Sequence, residues 1–145
     1  MTADYPQIWF LGFVVLAIVT GMGWPHGPGW LIWPGGLLMG AGTALMGAAV
    51  IAMRRARTTV DPYGRPAALV VSGVFALSRN PIYLGNALLL TGLCLVMRAP
   101  FAVIVLVPAF VLVISSRFIP REEARLRASF PREFSDYSAR TRRWL

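Results

Sequence analysis

Arg79-Asn80-Pro81-Ile82-Tyr83-Leu84-Gly85 opens one long apolar segment, and Arg121-Glu122-Glu123 follows another. Only Arg98-Ala99-Pro100 joins the two segments, so they must run antiparallel and bring both polar clusters back to one end. An arginine can grip a carboxylate through two parallel N–H bonds, and glutamates accept hydrogen bonds from hydroxyl or ammonium groups. Asn80 and Pro81 suit the cap and the first position of a helix, which is a structural account of that cluster. The same geometry leaves backbone N–H groups and a positive helix end beside Arg79, which is the making of an anion site.

The elements that carry these clusters are built for lipid. The chain of 145 residues is 57% hydrophobic, with a mean hydropathy of +0.63, leaving too little polar surface for a water-soluble domain of this size. Candidate spans cover residues 8–22, 31–53, 82–97 and 101–116, the last two short for a hydrocarbon core of ~30 Å. The expected fold is therefore all-α and integral to a membrane, with four transmembrane helices and a C-terminal cytoplasmic helix folded over the site. Arginines crowd the 54–79 loop and the tail after residue 116, which places both termini on the cytoplasmic side. Arg98 alone is left for the opposite face, where its side chain is expected to snorkel to the headgroups.

The net charge of +8 does not indicate nucleic acid, because the arginines flank apolar spans without interleaved stacking aromatics. Attraction to anionic lipid accounts for it better. All the basic residues are arginine and none is lysine, a composition that hints at a GC-rich bacterial genome and hence an inner membrane. The first apolar run has no Lys or Arg before it and a poor cleavage site after it, so it reads as a mature span rather than a signal peptide. Cys94 stands alone within a span and reads as a small apolar filler, with no disulfide and no metal site expected.

Trp24-Pro25-His26-Gly27-Pro28-Gly29-Trp30 is a breaker-rich turn with interfacial tryptophans, and His26 belongs to it rather than to the polar clusters. In the second span, Gly36 and Gly40 have the spacing that lets helices approach closely in lipid. Room for a ligand beside Gly40-Ala41-Gly42 is the other reading. The polar loop of residues 58–66 either caps the clusters or simply connects spans. Residues 117–130 read as a helix restarted at Pro120, with Ile119, Leu126 and Phe130 on one stripe. Glu122 and Glu123 flank that stripe, while Arg121 and Arg125 turn away. Acids in a first turn are favoured by the helix dipole, but carboxylates beside a buried stripe also point to a polar ligand beneath.

These motifs together resemble the isoprenylcysteine carboxyl methyltransferase and phospholipid methyltransferase superfamily. The resemblance rests on Arg79-Asn80-Pro81-Ile82-Tyr83-Leu84-Gly85 and then Glu122-Glu123, Leu126, Phe130, Tyr137 and Arg142-Arg143-Trp144-Leu145. It runs from about residue 58 to the end. The chain is a single domain by length, residues 1–57 forming two N-terminal spans that resemble nothing diagnostic, and the resemblance implies a cofactor-binding core over residues 58–145. S-adenosylmethionine is the implied cofactor, held by Arg79, Asn80, Pro81, Tyr83, Leu84, Gly85, Glu122, Glu123 and Tyr137. Glu122, Glu123 and Tyr83 are the implied catalytic groups, and the acceptor is a lipid or lipidated molecule entering from the bilayer. Asn80 stands where the isoprenylcysteine enzymes usually carry His, which resembles the phosphatidylethanolamine N-methyltransferases instead. Pro131 and Phe134 depart from the common Gly and Tyr.

A phospholipid amine and an isoprenylcysteine-type carboxylate are both compatible with these residues as acceptors. A membrane reductase using a nicotinamide cofactor has a similar helical C-terminal layout, but no further basic phosphate site is present. A non-enzymatic membrane scaffold would not need two converging clusters, and a transporter would place ionisable groups within its spans.

Overall fold

The computed structural model describes residues 4–61 and 63–145. Pro62 of the 58–66 loop and the first three residues of the 1–57 range lie outside them. Among the described residues there are helices and loops but no strand. The helices are α1 (Pro6–Gly23), α2 (Ile32–Arg55, after a 3-10 turn at Gly29–Leu31), α3 (Val74–Leu77), α4 (Pro81–Val96), α5 (Pro100–Val113), α6 (Ile119–Ser129) and α7 (Pro131–Arg140). Three helical stretches are long and apolar enough to cross a membrane: Pro6–Gly23, Gly29–Arg55 and Pro100–Ser129. Helix α4 is apolar but shorter. Val19, Trp33, Leu37 and Ile104 stand exposed on the outer faces, as lipid-facing side chains do. The protein is an integral membrane protein.

Helix α4 lies at the centre, and its largest interface is with α2. A Cβ at Gly42 would lie 2.6 Å from the Gly85 carbonyl oxygen, and one at Gly35 would lie 2.7 Å from that of Gly92. Gly35 thus faces Gly92 and Gly42 faces Gly85, an antiparallel contact repeating every seven residues in which the backbones touch. This corrects the expectation for Gly36 and Gly40, whose side-chain positions point into open space. Seven-residue spacing keeps one seam facing the partner, whereas the Gly36–Gly40 pair is centred about 130° round the helix from that seam. The other face of α4 carries Tyr83, Ala87, Leu90 and Cys94 into a core with Phe13 and Ala17 of α1 and Phe110 of α5.

Helix α5 does not stop before Pro120. A π turn at Ile114–Phe118 carries it directly into α6. Proline lacks an N–H and its ring collides with the carbonyl four residues earlier, and a widened turn relieves that conflict without breaking the helix. At 1.5 Å per residue, about twenty residues cross a ~30 Å core, so a helix starting at Pro100 leaves the hydrocarbon near Ile119. Helix α6, where the arginines and glutamates begin, is the polar continuation of that stretch.

At the other end of α4 the Trp24–Trp30 turn and the α4–α5 hairpin are tied together. His26 and Gly27 donate backbone N–H bonds to the Arg98 carbonyl at 3.0 and 2.7 Å, and Arg98 Nε donates to the Gly27 carbonyl at 2.9 Å. Arg98 thus braces the turn through its Nε while its side chain stays exposed. The His26 ring stacks on Phe101 and accepts from its backbone N–H, a structural role. The tail is two helices rather than one, with Phe134 and Tyr137 of α7 buried against Ala49 and Phe75.

Candidate active site at the ends of α4 and α6

The α4–α5 hairpin brings the two polar clusters into direct contact. Tyr83, in the first turn of α4, donates its hydroxyl proton to Glu122 Oε1 on α6. Arg79 Nη2 lies 3.4 Å from Glu123 Oε1. Arg143, from the C-terminal end, grips the same carboxylate through Nε at 2.9 Å and Nη2 at 2.7 Å. Glu122 and Glu123 are thereby separated in kind. Glu123 has both oxygens occupied by arginine, whereas the protein hydrogen bond to Glu122 comes from a phenol. Burial pushes the Glu122 carboxyl up to about 7, against the pull of the Tyr83 hydrogen bond and the Arg125 charge.

Arg79 is partly buried, its side chain 14% exposed, with its guanidinium 5.9 Å from the centre of the Phe134 ring. Its Nε has no hydrogen-bond partner among the described residues. A shielded Nε–H with no acceptor is costly unless a ligand takes it up.

These groups line a cavity of about 150 Å³, open at one side. Its walls are the start of α4 (Arg79 to Tyr83), the inner face of α6 (Glu122, Glu123, Arg125, Leu126), Phe134 and Tyr137 of α7, and Phe75. Thr58, Thr59, Val60, Asp61, Gly64 and Pro66 complete it, so the polar loop caps the clusters rather than merely connecting spans. Thr58 Oγ1 shapes that cap by accepting from the backbone N–H groups of Ala67 and Ala68 at 3.1 and 3.3 Å.

Of the residues singled out from sequence, Arg79, Asn80, Pro81, Tyr83, Glu122, Glu123 and Tyr137 line this cavity. Leu84 and Gly85 do not. Gly85 faces α2, where an added Cβ would lie 2.7 Å from the Gly42 carbonyl oxygen, so its smallness serves helix packing. The Asn80 side chain makes no capping bond; its Nδ2 donates to the Arg143 carbonyl at 2.9 Å. Tyr137 spends its hydroxyl on the Phe75 carbonyl at 2.6 Å, leaving its ring to the cavity wall. Arg125 is not turned away as expected. It lines the cavity and lies 5.0 Å from the centre of the Tyr63 ring.

Arg143 belongs to the motif that carries the resemblance but not to the expected site, and Ser78 to neither. Ser78 Oγ donates to the Arg143 carbonyl at 3.1 Å and accepts from the Asn80 backbone N–H at 3.1 Å. The available signal for Arg143 was a charge count: two adjacent glutamates near a membrane surface call for more than one cation.

The cavity at these helix ends is walled mostly by apolar side chains, with an idle arginine donor and two adjacent carboxylates set among them. The chain belongs to the phospholipid methyltransferase family, whose model matches residues 30–133. That family is one of membrane methyltransferases acting on lipid. The match takes in α2, which the motif resemblance left out, and ends in the first turn of α7. No curated protein and no solved structure matches the chain.

Proposed function

We propose that the protein transfers a methyl group from S-adenosylmethionine to the amine of a phospholipid that reaches the cavity from the bilayer. In this reading it crosses a bacterial inner membrane four times, with both termini and the cavity on the cytoplasmic side. The observation that carries it is the buried, unpartnered Arg79 Nε on the wall of the cavity that also holds the Tyr83–Glu122 pair.

The donor set fits S-adenosylmethionine. Arg79 and the first-turn amides of Ile82 and Tyr83, which have no acceptor within α4, would hold its carboxylate. Asn80 and Pro81 keep that turn in place, and the rings of Phe75, Phe134 and Tyr137 offer apolar walls to its base. The cofactor, when bound, supplies an electrophilic methyl group on a sulfonium.

The chain's own work is positioning, proton removal and exclusion of water. An ammonium must lose its proton before its nitrogen can attack, and Glu122, with its carboxyl near neutrality, accepts that proton. Tyr83 orients the receiving carboxylate through its hydroxyl. An amine suits this site better than a carboxylate acceptor, because an ionised Glu122 repels an anion and attracts an ammonium.

Calorimetry on the detergent-solubilised protein tests the reading. S-adenosylmethionine and its demethylated product should bind, and NADPH should not. Arg79→Ala should weaken binding by about ten- to a hundredfold, the worth of a charged hydrogen bond. Arg54→Ala, an exposed charge outside the cavity lining, should change it by less than about twofold. Binding of NADPH alone would mean a reductase, and binding of neither would remove the cofactor from the account.

A further inference from the structure

Glu123 lies between two arginines that treat it differently. Arg143 meets both oxygens as a fork, at 2.9 and 2.7 Å. Arg79 meets one, at 3.4 Å, longer than the usual N–H···O bond, and keeps its Nε free. The two arginines also differ in place: Arg79 lines the cavity and Arg143 does not. A ligand in the cavity meets only the first.

The C-terminal end is anchored where Arg143 needs it. The Arg143 carbonyl accepts from Ser78 Oγ and Asn80 Nδ2, the Arg142 carbonyl accepts from the Arg79 backbone N–H at 2.9 Å, and Trp144 Nε1 donates to Ser115 Oγ at 3.0 Å. These bonds hold the last residues against the start of α4 and the end of the α5 helix. The guanidinium is delivered to Glu123 by a fixed backbone.

The geometry points to Arg143 as a positioning residue that occupies the Glu123 carboxylate and so keeps the guanidinium of Arg79 available to an anionic ligand. The inference rests on the reading that Arg79 holds the carboxylate of S-adenosylmethionine. Without the Arg143 fork, Glu123, whose side chain is 10% exposed, would be a nearly buried charge with Arg79 as its nearest cation. A buried charge left unpaired is strongly unfavourable, so Arg79 would close its gap to Glu123 and lose its fork to the pair.

The consequence is a rescue that a merely structural contact would not produce. Arg143→Ala should weaken S-adenosylmethionine binding by about tenfold, the scale of one charged contact. Adding Glu123→Gln to Arg143→Ala should recover most of that loss, because the amide no longer captures Arg79. Arg142→Ala, whose exposed side chain is dispensable while its carbonyl stays, should bind as the wild type does. Thermal melting in the same detergent checks that each variant is folded. If Arg143→Ala is not, Arg143→Lys decides: one ammonium in place of a fork should give intermediate affinity, and wild-type affinity would overturn the role. Wild-type affinity in a folded Arg143→Ala protein, or a double variant weaker than either single one, would also overturn it. Absence of binding to the wild type itself would bring down the functional reading and this role together.

Discussion

Replacing Gly42 by Ala puts a methyl carbon 2.6 Å from the Gly85 carbonyl oxygen and 3.0 Å from the Leu89 backbone nitrogen. Both neighbours are main chain, so no side chain can rotate away and α2 must separate from α4. Gly35→Ala meets the same obstacle, 2.7 Å from the Gly92 carbonyl oxygen and 2.9 Å from the Val96 nitrogen. Overpacking of this kind costs about 1–3 kcal/mol. For a chain of this size, each kcal/mol lowers the melting temperature by about 2–4 °C, so the expected loss is roughly 2–12 °C. Gly36→Ala and Gly40→Ala are the internal controls, since nothing lies within 4 Å of either position. They gain up to about 1 kcal/mol of helix propensity and should melt at or above the wild-type temperature. Thermal unfolding in detergent micelles, followed by helical circular dichroism, reads all four. Equal melting temperatures for Gly42→Ala and Gly40→Ala would refute the seven-residue glycine register, and with it the contact that sets the height of Tyr83 against α6.

Methyl transfer should rise with pH through about 7, as Glu122 loses its proton and becomes able to accept one. Tyr83→Phe removes a hydrogen bond that holds the Glu122 carboxyl down, so the midpoint of the pH–rate profile should move to higher pH, and Glu122→Gln should abolish that limb. Stability has the opposite slope. The folded carboxyl lies above its ordinary value of 4.5, so its contribution is full below that pH and is lost as pH rises through about 7. Thermal melts of Glu122→Gln should lack that decline. Tyr137→Phe leaves the Phe75 carbonyl without its bond and should lower stability by about 1–3 kcal/mol in the same melts, the cost of an unsatisfied buried acceptor.

The parts of the fold that follow from composition and connectivity were legible in the chain. Apolar length marked the helices, and the three residues between two of them required the hairpin that joins Tyr83 to Glu122. What escaped depends on a rotation angle or on a distant partner. The 36/40 and 35/42 glycine pairs both have good helical spacing, and only the position of α4 chooses between them. Arg125 was assigned to the outer face by counting angles along α6, whereas the structure places it on the cavity wall. The Asn80 side chain had a local capping role available, and the Arg143 carbonyl, far along the chain, took it instead. Local rules describe what a residue can do, and tertiary contacts decide which option it takes.

Methyl transfer to lipid can be followed with a labelled methyl group. Membranes containing the protein are incubated with S-adenosylmethionine labelled in its methyl carbon, and the lipids are extracted into organic solvent and treated with mild base. Label should enter the extracted lipid and should not be released by base as volatile methanol, because base cleaves the acyl esters and leaves the N-methyl group on the headgroup, with Arg79→Ala and Glu122→Gln membranes giving little. Label released by base as methanol would show an ester and a carboxylate acceptor. Label absent from lipid altogether, in membranes where the folded protein is present, would contradict such transfer.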